Sequence, residues 1–250
     1  MDGIDEQFLE LFGQLPRAGP GDKRSTLRAL EVVRRTLEPR RVLDAGCGPG
    51  VQTLVLARAL PEAEILAVDL LPSMAERAQT AFAAARLSPR VRADVRDMCK
   101  PGLVSGSIDL VWSEGAAYAV GVQAALEAWR PFLSGTGHVA FTDLTWTGAE
   151  RPAEVRDWLC GEYPDVTDVP GTLARIEAAG LSCVETFGLP DSAWWEAYYA
   201  PLELRIGELR ARYASAAQAL ALLDAAALEV EMFRRFSRAY GYTFFVARLR

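Results

Sequence analysis

Apolar positions along this chain fall into two alternating rhythms. Arg41-Val42-Leu43-Asp44-Ala45 is a short apolar run that ends in an acid and passes into glycines, and Val51 to Leu60 then follows with helical spacing. This predicts a strand, a tight turn and a helix. Glu64 to Asp69 repeats the pattern, with Pro72 placed for a first helical turn and alanine-rich helix-forming sequence to about Arg86. Val91 to Val95, Ile108 to Ser113 and Gly137 to Asp143 predict three further strands, and Val122 to Phe132 a helix between the last two. The stretch from Asp97 to Ile108 is too short and too broken by Gly and Pro for a regular helix. Strands this apolar cannot face water, so the alternation predicts an α/β fold with a mostly parallel sheet covered on both faces.

The flanks extend the pattern. Leu27, Leu30, Val33 and Leu37 share one helical face, with Asp22 as cap and Pro39 as stop. Downstream, Pro152 to Cys160 and Gly171 to Ala179 predict helices and Leu181 to Leu189 a strand. Amphipathic helical sequence fills Ala193 to Arg238, and a strongly β-prone run from Tyr242 to Leu249 closes the chain. No internal repeat or linker interrupts this order. The expectation is one domain over residues 1–250: an N-terminal helical segment at 1–40, a core at 41–189, a helical cap inserted at 190–240 and a final strand at 241–250.

Composition narrows the function. Half of the 250 residues are hydrophobic, 24% are charged, and the formal net charge is −6. A mildly acidic chain lacks the basic footprint of a nucleic-acid binder. The N-terminus carries Asp2, Asp5, Glu6 and Glu10 where a signal peptide would be basic, and no apolar stretch is long enough to span a bilayer. The expectation is a cytoplasmic protein with no membrane and no nucleic-acid partner. Cys47, Cys99, Cys160 and Cys183 are scattered, which fits reduced thiols and no metal site, and His138, the single histidine, begins an apolar strand where a hydrogen-bonded structural role is expected. Oligomeric state is not legible.

The sharpest chemical signal is Asp44-Ala45-Gly46-Cys47-Gly48-Pro49-Gly50. Glycines let the backbone pass close beneath a ligand, and the following helix start offers free N–H groups. In a dinucleotide-binding turn the third glycine falls three positions after the second; here the glycines alternate, and an acid stands two positions before the first. That acid would oppose a pyrophosphate and attract a cationic amino acid moiety. Asp69, at the end of the second strand, can accept from both hydroxyls of a ribose. Asp94, ending the third, can accept from an adenine amino group, with Asp97 as runner-up.

On these residues the chain resembles the class I S-adenosylmethionine-dependent methyltransferases. Val42 to Gly50 looks like their first motif, and Ala67-Val68-Asp69-Leu70, Ala93-Asp94-Val95, Ile108 to Ser113 and Trp129 to Gly137 match the motifs expected after it. Trp112 to Tyr118, the Gly19-Pro20-Gly21 turn, Glu150 to Glu154 and the tail from Glu229 to Tyr242 further resemble a bacterial group of small-molecule methyltransferases related to the ubiquinone/menaquinone methyltransferase superfamily. The resemblance implies a Rossmann-like seven-stranded sheet whose last strand is antiparallel, with S-adenosylmethionine across the carboxyl ends of strands one to four. By position, Gly46, Gly48 and Gly50 would pass beneath the methionine part, Asp69 would hold the ribose, and Asp94 with the Val95 backbone would read adenine. Asp44, Ala45, Cys47, Gln52, Leu70, Ser113 and Glu114 would complete the contacts.

Methyl transfer from a sulfonium is an in-line displacement that needs orientation and exclusion of water more than a histidine base. Glu114 and Tyr118, at the carboxyl end of the fourth strand, are the candidate catalytic residues; a carboxylate that caps the next turn or orients a cofactor amine is an equal reading of Glu114, and a wall residue one of Tyr118. Asp143, Thr145 and Trp146 are candidates for lining the pocket of a small-molecule acceptor. Trp194, Trp195, Tyr198 and Tyr199 either glue the inserted helices to the sheet or form an aromatic lid over a hydrophobic or cationic acceptor. A nicotinamide-dependent oxidoreductase, a catalytically silent cofactor-binding partner protein, and a transfer other than methyl are the competing readings.

Overall fold

The computed structural model describes residues 10–250. Helix α1 (Lys23–Arg34) is started by Asp22, whose carboxylate accepts from the Ser25 amide at 2.7 Å, and it leads into β1 (Arg41–Ala45). There follow α2 (Val51–Ala59), β2 (Glu64–Asp69), α3 (Pro72–Ala84), β3 (Val91–Val95), β4 (Ile108–Ser113), α4 (Val122–Trp129) and β5 (Leu133–Trp146). Then come α5 (Ala153–Glu162), a two-residue β6 (Thr167–Asp168), α6 (Val169–Ala178) and β7 (Leu181–Gly188). After β7 a short helical turn (Ser192–Trp194) and a wider π-type turn (Trp195–Tyr199) lead to α7 (Ala200–Arg212) and α8 (Ala217–Phe236), and β8 (Tyr240–Leu249) closes the chain.

The sheet runs β3-β2-β1-β4-β5-β8-β7, with β8 antiparallel to both neighbours and the remaining pairs of that path parallel. The mostly parallel sheet with an antiparallel last strand is as expected. β6 is new: two residues that pair with Thr145 and Trp146, too short to leave an alternation in the sequence. β5 also outruns its apolar centre, because nine consecutive pairs with β8, from His138↔Arg248 to Trp146↔Tyr240, carry it to Trp146.

Alternation within the strands builds two cores. Val42, Ile65, Ala67, Leu110, Trp112, Phe244 and Val246 face α1, α2 and α3; Leu43, Leu66, Val68, Val111, Phe141, Phe245 and Ala247 face α4 and α6. Those strands are thus apolar on both sides, which is why their sequence reads as unbroken runs. A third cluster joins α7 and α8 (Leu202, Ile206, Leu223, Val230, Phe233) to Leu11, Leu15, Leu159 and Trp194. His138 is 2% exposed; its Nδ1 lies 2.9 Å from the Thr136 carbonyl oxygen and its Nε2 3.1 Å from Thr36 Oγ1. Burial lowers its pKa, and it ties the end of α1 to β5. Among the described residues no helix is long and apolar enough to cross a membrane.

Two crossings leave the sheet in opposite senses, β1 to β2 to β3 on one side and β4 to β5 on the other, so a crevice opens at the carboxyl ends of the adjacent strands β1 and β4. Trp129 of α4 braces its floor: the indole is fully buried and its N–H donates to the Met98 carbonyl at 3.0 Å, in the loop that follows β3. Trp129→Ala is expected to cost about 3–5 kcal/mol in urea unfolding. Trp129→Phe, which keeps the ring but loses the donor, should cost about 1 kcal/mol.

Candidate active site

The loop after β1 is pinned to its neighbour. The amides of Gly46 and Cys47 both donate to the Val68 carbonyl at 2.9 Å, and the chain then turns through Gly46 (φ +75°), Gly48 (φ +52°) and Gly50 (φ +79°) into α2. A Cβ at Gly46 would stand 2.3 Å from that of Ala116, and one at Gly50 would meet the Phe82 ring at 2.8 Å. Left-handed backbone and close approach together restrict both positions to glycine. What the loop gains is a bare, upturned backbone at the floor of a cleft of about 360 Å³.

Asp44 lies just beneath this floor, fully buried. Its Oδ2 accepts from Thr53 Oγ1 at 2.5 Å and its Oδ1 from Gln52 Nε2 at 3.4 Å, while Gln52 also donates to the Cys47 carbonyl. Burial pushes its carboxyl up to about 7, with the Glu114 carboxylate adding to the shift. A buried acid so poised is stabilised in its charged form by a cation placed above it. Asp69, at the rim, holds the loop through Oδ2, which accepts from the Gly48 amide at 2.9 Å, and its Oδ1 accepts from Leu71 at 3.0 Å. Gly46, Cys47, Gly48, Gln52, Asp69 and Leu70 all line the cleft. Cys47 is buried, and its thiol pKa is raised by that burial and by the nearby acids. Ala45 and Ser113 stand behind the floor, joined by a 2.8 Å bond from Ser113 Oγ to the Ala45 carbonyl.

The third strand's end departs from the expectation. Asp94 and Val95 do not line the cleft; Asp97 and Met98 do. The Asp94 carboxylate is turned to Arg96, 2.6 Å away, while Asp97 Oδ1 caps its own turn at the Cys99 amide. The runner-up acid is therefore the one beside the cavity.

Glu114 is corrected as a candidate base. Its Oε1 accepts from Trp112 Nε1 at 2.9 Å and Thr26 Oγ1 at 2.7 Å, and its Oε2 pairs with Arg17 at 2.8 Å, the whole side chain being 1% exposed. Three donors, one of them the buried Arg17 guanidinium, hold this carboxylate in place at the cleft wall and favour an anchoring role over that of a base. It anchors the N-terminal segment over the cleft, so that Phe12 and Arg17 to Pro20 form part of the wall. Nothing local in the sequence marks Arg17 as that partner, 97 positions away. Thr53 was also missed; its position on the first turn of α2 was the available signal.

A second cavity of about 320 Å³ adjoins the first, sharing with it Phe12, Ala18, Gly19, Pro20, Gly115 and Tyr118. Tyr118 is half exposed, stands edge-on to Tyr163 at 6.0 Å, and has its pKa raised by desolvation first and by the charge of Glu229 second. The opposite walls come from the inserted helices: Trp194, Tyr198, Tyr199 and Glu229. Glu229 accepts from the Tyr199 hydroxyl at 3.0 Å, and burial pushes its carboxyl up to about 7. Trp194, Tyr198 and Tyr199 thus pack the insert and line the cavity at once. Trp195 packs against Tyr199 and Phe233 but does not line the cavity, standing outside it under the Arg234 guanidinium. Asp143, Thr145 and Trp146 are likewise not in the wall; Leu144 is, since alternation along β5 turns its neighbours away. Asp143 is held instead by Tyr163 and Thr172, its carboxyl raised to about 6 by burial. Among the described residues no group of three His, Cys, Asp or Glu could hold a metal ion.

Comparison with known proteins agrees with this geometry. Residues 42–137 match the family model of a methyltransferase domain. A malonyl-acyl-carrier-protein O-methyltransferase of Legionella pneumophila is 39% identical over 77 residues, 31% of this chain and 26% of that protein. The same-named enzyme of Laribacter hongkongensis is 31% identical over 165 residues, 58% of this chain and 52% of its own. The chain thus spans at most about half the length of these curated relatives. Over nearly its whole length, 98% of each chain, it superposes with a TM-score of 0.79 and 20% identity on a Geobacter sulfurreducens SAM-dependent methyltransferase solved with S-adenosyl-L-homocysteine. Residues 42–137 thus match a methyltransferase domain, and the strand order around them is a Rossmann-like fold shared with this solved neighbour.

Proposed function

We propose that this chain binds S-adenosylmethionine in the first cleft and methylates a small molecule held in the second. The observation that carries this reading is the adjacency of the two cavities, which share Gly115 and Tyr118 at the carboxyl end of β4. The residues fit the cofactor: the glycine floor has no room for side chains, Asp44 lies below it for the amino group, Asp69 stands at the rim for the ribose, and Asp97 with Met98 closes the adenine end. When bound, S-adenosylmethionine supplies an electrophilic methyl group on a sulfonium. The chain's own contribution is to orient the acceptor and exclude water. Tyr118, whose phenol is kept neutral by desolvation, borders both ligands as a wall and a hydrogen-bond donor. The acidic composition and the free cysteines support a cytoplasmic setting, and one domain built around the cofactor cleft is the organisation that best accounts for the described residues.

Isotopically labelled S-adenosylmethionine incubated with the protein and a small-metabolite extract should give a product heavier by one labelled methyl; label found only in protein or nucleic acid would overturn the small-molecule acceptor. Asp69→Ala should weaken S-adenosylhomocysteine by about 10–100-fold in calorimetry, the worth of about 1.5–3 kcal/mol for charge-assisted hydrogen bonds.

Asp44 makes a protonic prediction. Its free-protein pKa of about 7 means that it is partly protonated near neutrality, and a cation above it lowers that pKa. Binding of S-adenosylhomocysteine at pH 7 should therefore release a fraction of a proton, seen as a dependence of the binding heat on buffer ionisation enthalpy. The release should vanish by about pH 9, where the carboxylate is already ionised, and in Asp44→Asn.

Glu114→Gln should strip Arg17 of its buried partner and cost about 3–5 kcal/mol of stability. Where the variant is folded, turnover should fall by less than about tenfold; a loss of about 100-fold or more would reinstate a base at this position.

A further inference from the structure

The second cavity carries a chemical signature of its own. Its two charged residues among the described lining are both acids, Glu162 and Glu229, and no Lys, Arg or His accompanies them. Glu229 is partly buried on α8, and among the described residues its hydrogen-bond donors are tyrosine hydroxyls: Tyr199 at 3.0 Å, with Tyr198 also contributing. Neither neutralises its charge. Nearby, Tyr240 is 1% exposed, lines the same cavity, and its buried hydroxyl has no hydrogen-bond partner among the described residues. Aromatic rings share the remaining wall with aliphatic residues such as Leu144, Leu159 and Leu228, and Trp158 and Trp194 stand 6.0 Å and 6.3 Å from Tyr240, centroid to centroid.

A desolvated carboxylate without a cation is costly, and so is a buried hydroxyl without a partner. One guest relieves both. An ammonium group supplies the positive charge for Glu229 and a donor for the free Tyr240 oxygen, and the ring faces attract it through their quadrupoles. An anionic guest meets the reverse: two acids and no cation. The relatives named above act, by their names, on a malonyl group, which carries a carboxylate; the wall described here offers such a group no counter-ion. We propose that the acceptor is a small organic amine, bound as its ammonium form with Glu229 as counter-ion and Tyr240 as the second hydrogen-bond partner; for transfer to this nitrogen its proton passes to the Glu229 carboxylate, and the freed lone pair takes the methyl as the carbon–sulfur bond breaks and the thioether leaves. This rests on the reading of the second cavity as the acceptor site.

The test uses the full chain and three phenyl-bearing probes of similar size: 2-phenylethylamine, neutral 2-phenylethanol and anionic 3-phenylpropanoate. Binding is followed by tryptophan fluorescence and calorimetry at pH 7.5, with and without saturating S-adenosylhomocysteine. The amine should bind at least about tenfold more tightly than the alcohol, and the carboxylate more weakly than either. Glu229→Gln should erase the preference of amine over alcohol while leaving S-adenosylhomocysteine affinity unchanged, which also reports that the variant is folded. Tyr240→Phe, which keeps the charge, should weaken the amine by about fivefold.

Equal binding of amine and alcohol, tighter binding of the carboxylate, or survival of the preference in Glu229→Gln would overturn the proposal. So would a lack of response to every member of an amine series from ethylamine to tryptamine. Failure of S-adenosylhomocysteine to bind, with amine selectivity intact, would strike the cofactor reading alone.

Discussion

One carbonyl organises this molecule's chemistry. The oxygen of Val68 takes hydrogen bonds from two successive amides, Gly46 and Cys47, and so lashes the turn after β1 to the top of β2. Everything in the cleft is placed with reference to that turn. Asp69, the next residue along from the carbonyl, reaches back to the Gly48 amide, so two adjacent residues of one strand hold three amides of the other's loop. Since the Gly46 Cα passes against Ala116, the same turn also fixes the loop that follows β4. A side chain at Gly46 would force those two strand ends apart, and the crevice between them would lose its shape.

How much of this was legible in the chain depends on how local the cause was. Strands β1, β2, β4 and the centre of β5 were visible because both of their faces are buried, leaving unbroken apolar runs. The helix starts at Asp22 and Pro72 were visible because a cap is a property of one or two residues. The glycine turn and Asp69 were visible because spacing along a strand-turn-helix unit is short-range information. By contrast, Asp94 was overvalued because its competing partner, Arg96, has a side chain whose direction no pattern reveals. Glu114 was misjudged for a stronger form of the same reason: what satisfies it arrives from Arg17, Thr26 and Trp112, two of them distant in sequence. Trp194 and Trp195 are indistinguishable by pattern within one aromatic cluster; Trp194 lines the cavity and Trp195, at the start of the widened turn 195–199, does not.

The two cavities differ in how they use acids. Below the first, Asp44 is fully buried and hydrogen-bonded by Thr53 and Gln52; beside the second, Glu229 is approached by phenols. In each case burial holds the carboxyl near neutrality in pKa, so that the charged state is available but unsupported. Such groups lower the stability of the ligand-free fold as the pH rises past their unfolded values, because ionisation in place is penalised. That sacrifice is local, confined to the two cavities, and cations are the guests able to offset it.

The turn of Ala18, Gly19 and Pro20 belongs to both chambers at once, and Arg17 beside it is fastened to Glu114. Where a first occupant displaces that common partition, it alters the free energy of seating the other, and thermodynamic reciprocity makes the effect equal in both directions. Were two occupants to shift that partition, their coupling would run through shared masonry and need no long-range signal through the sheet.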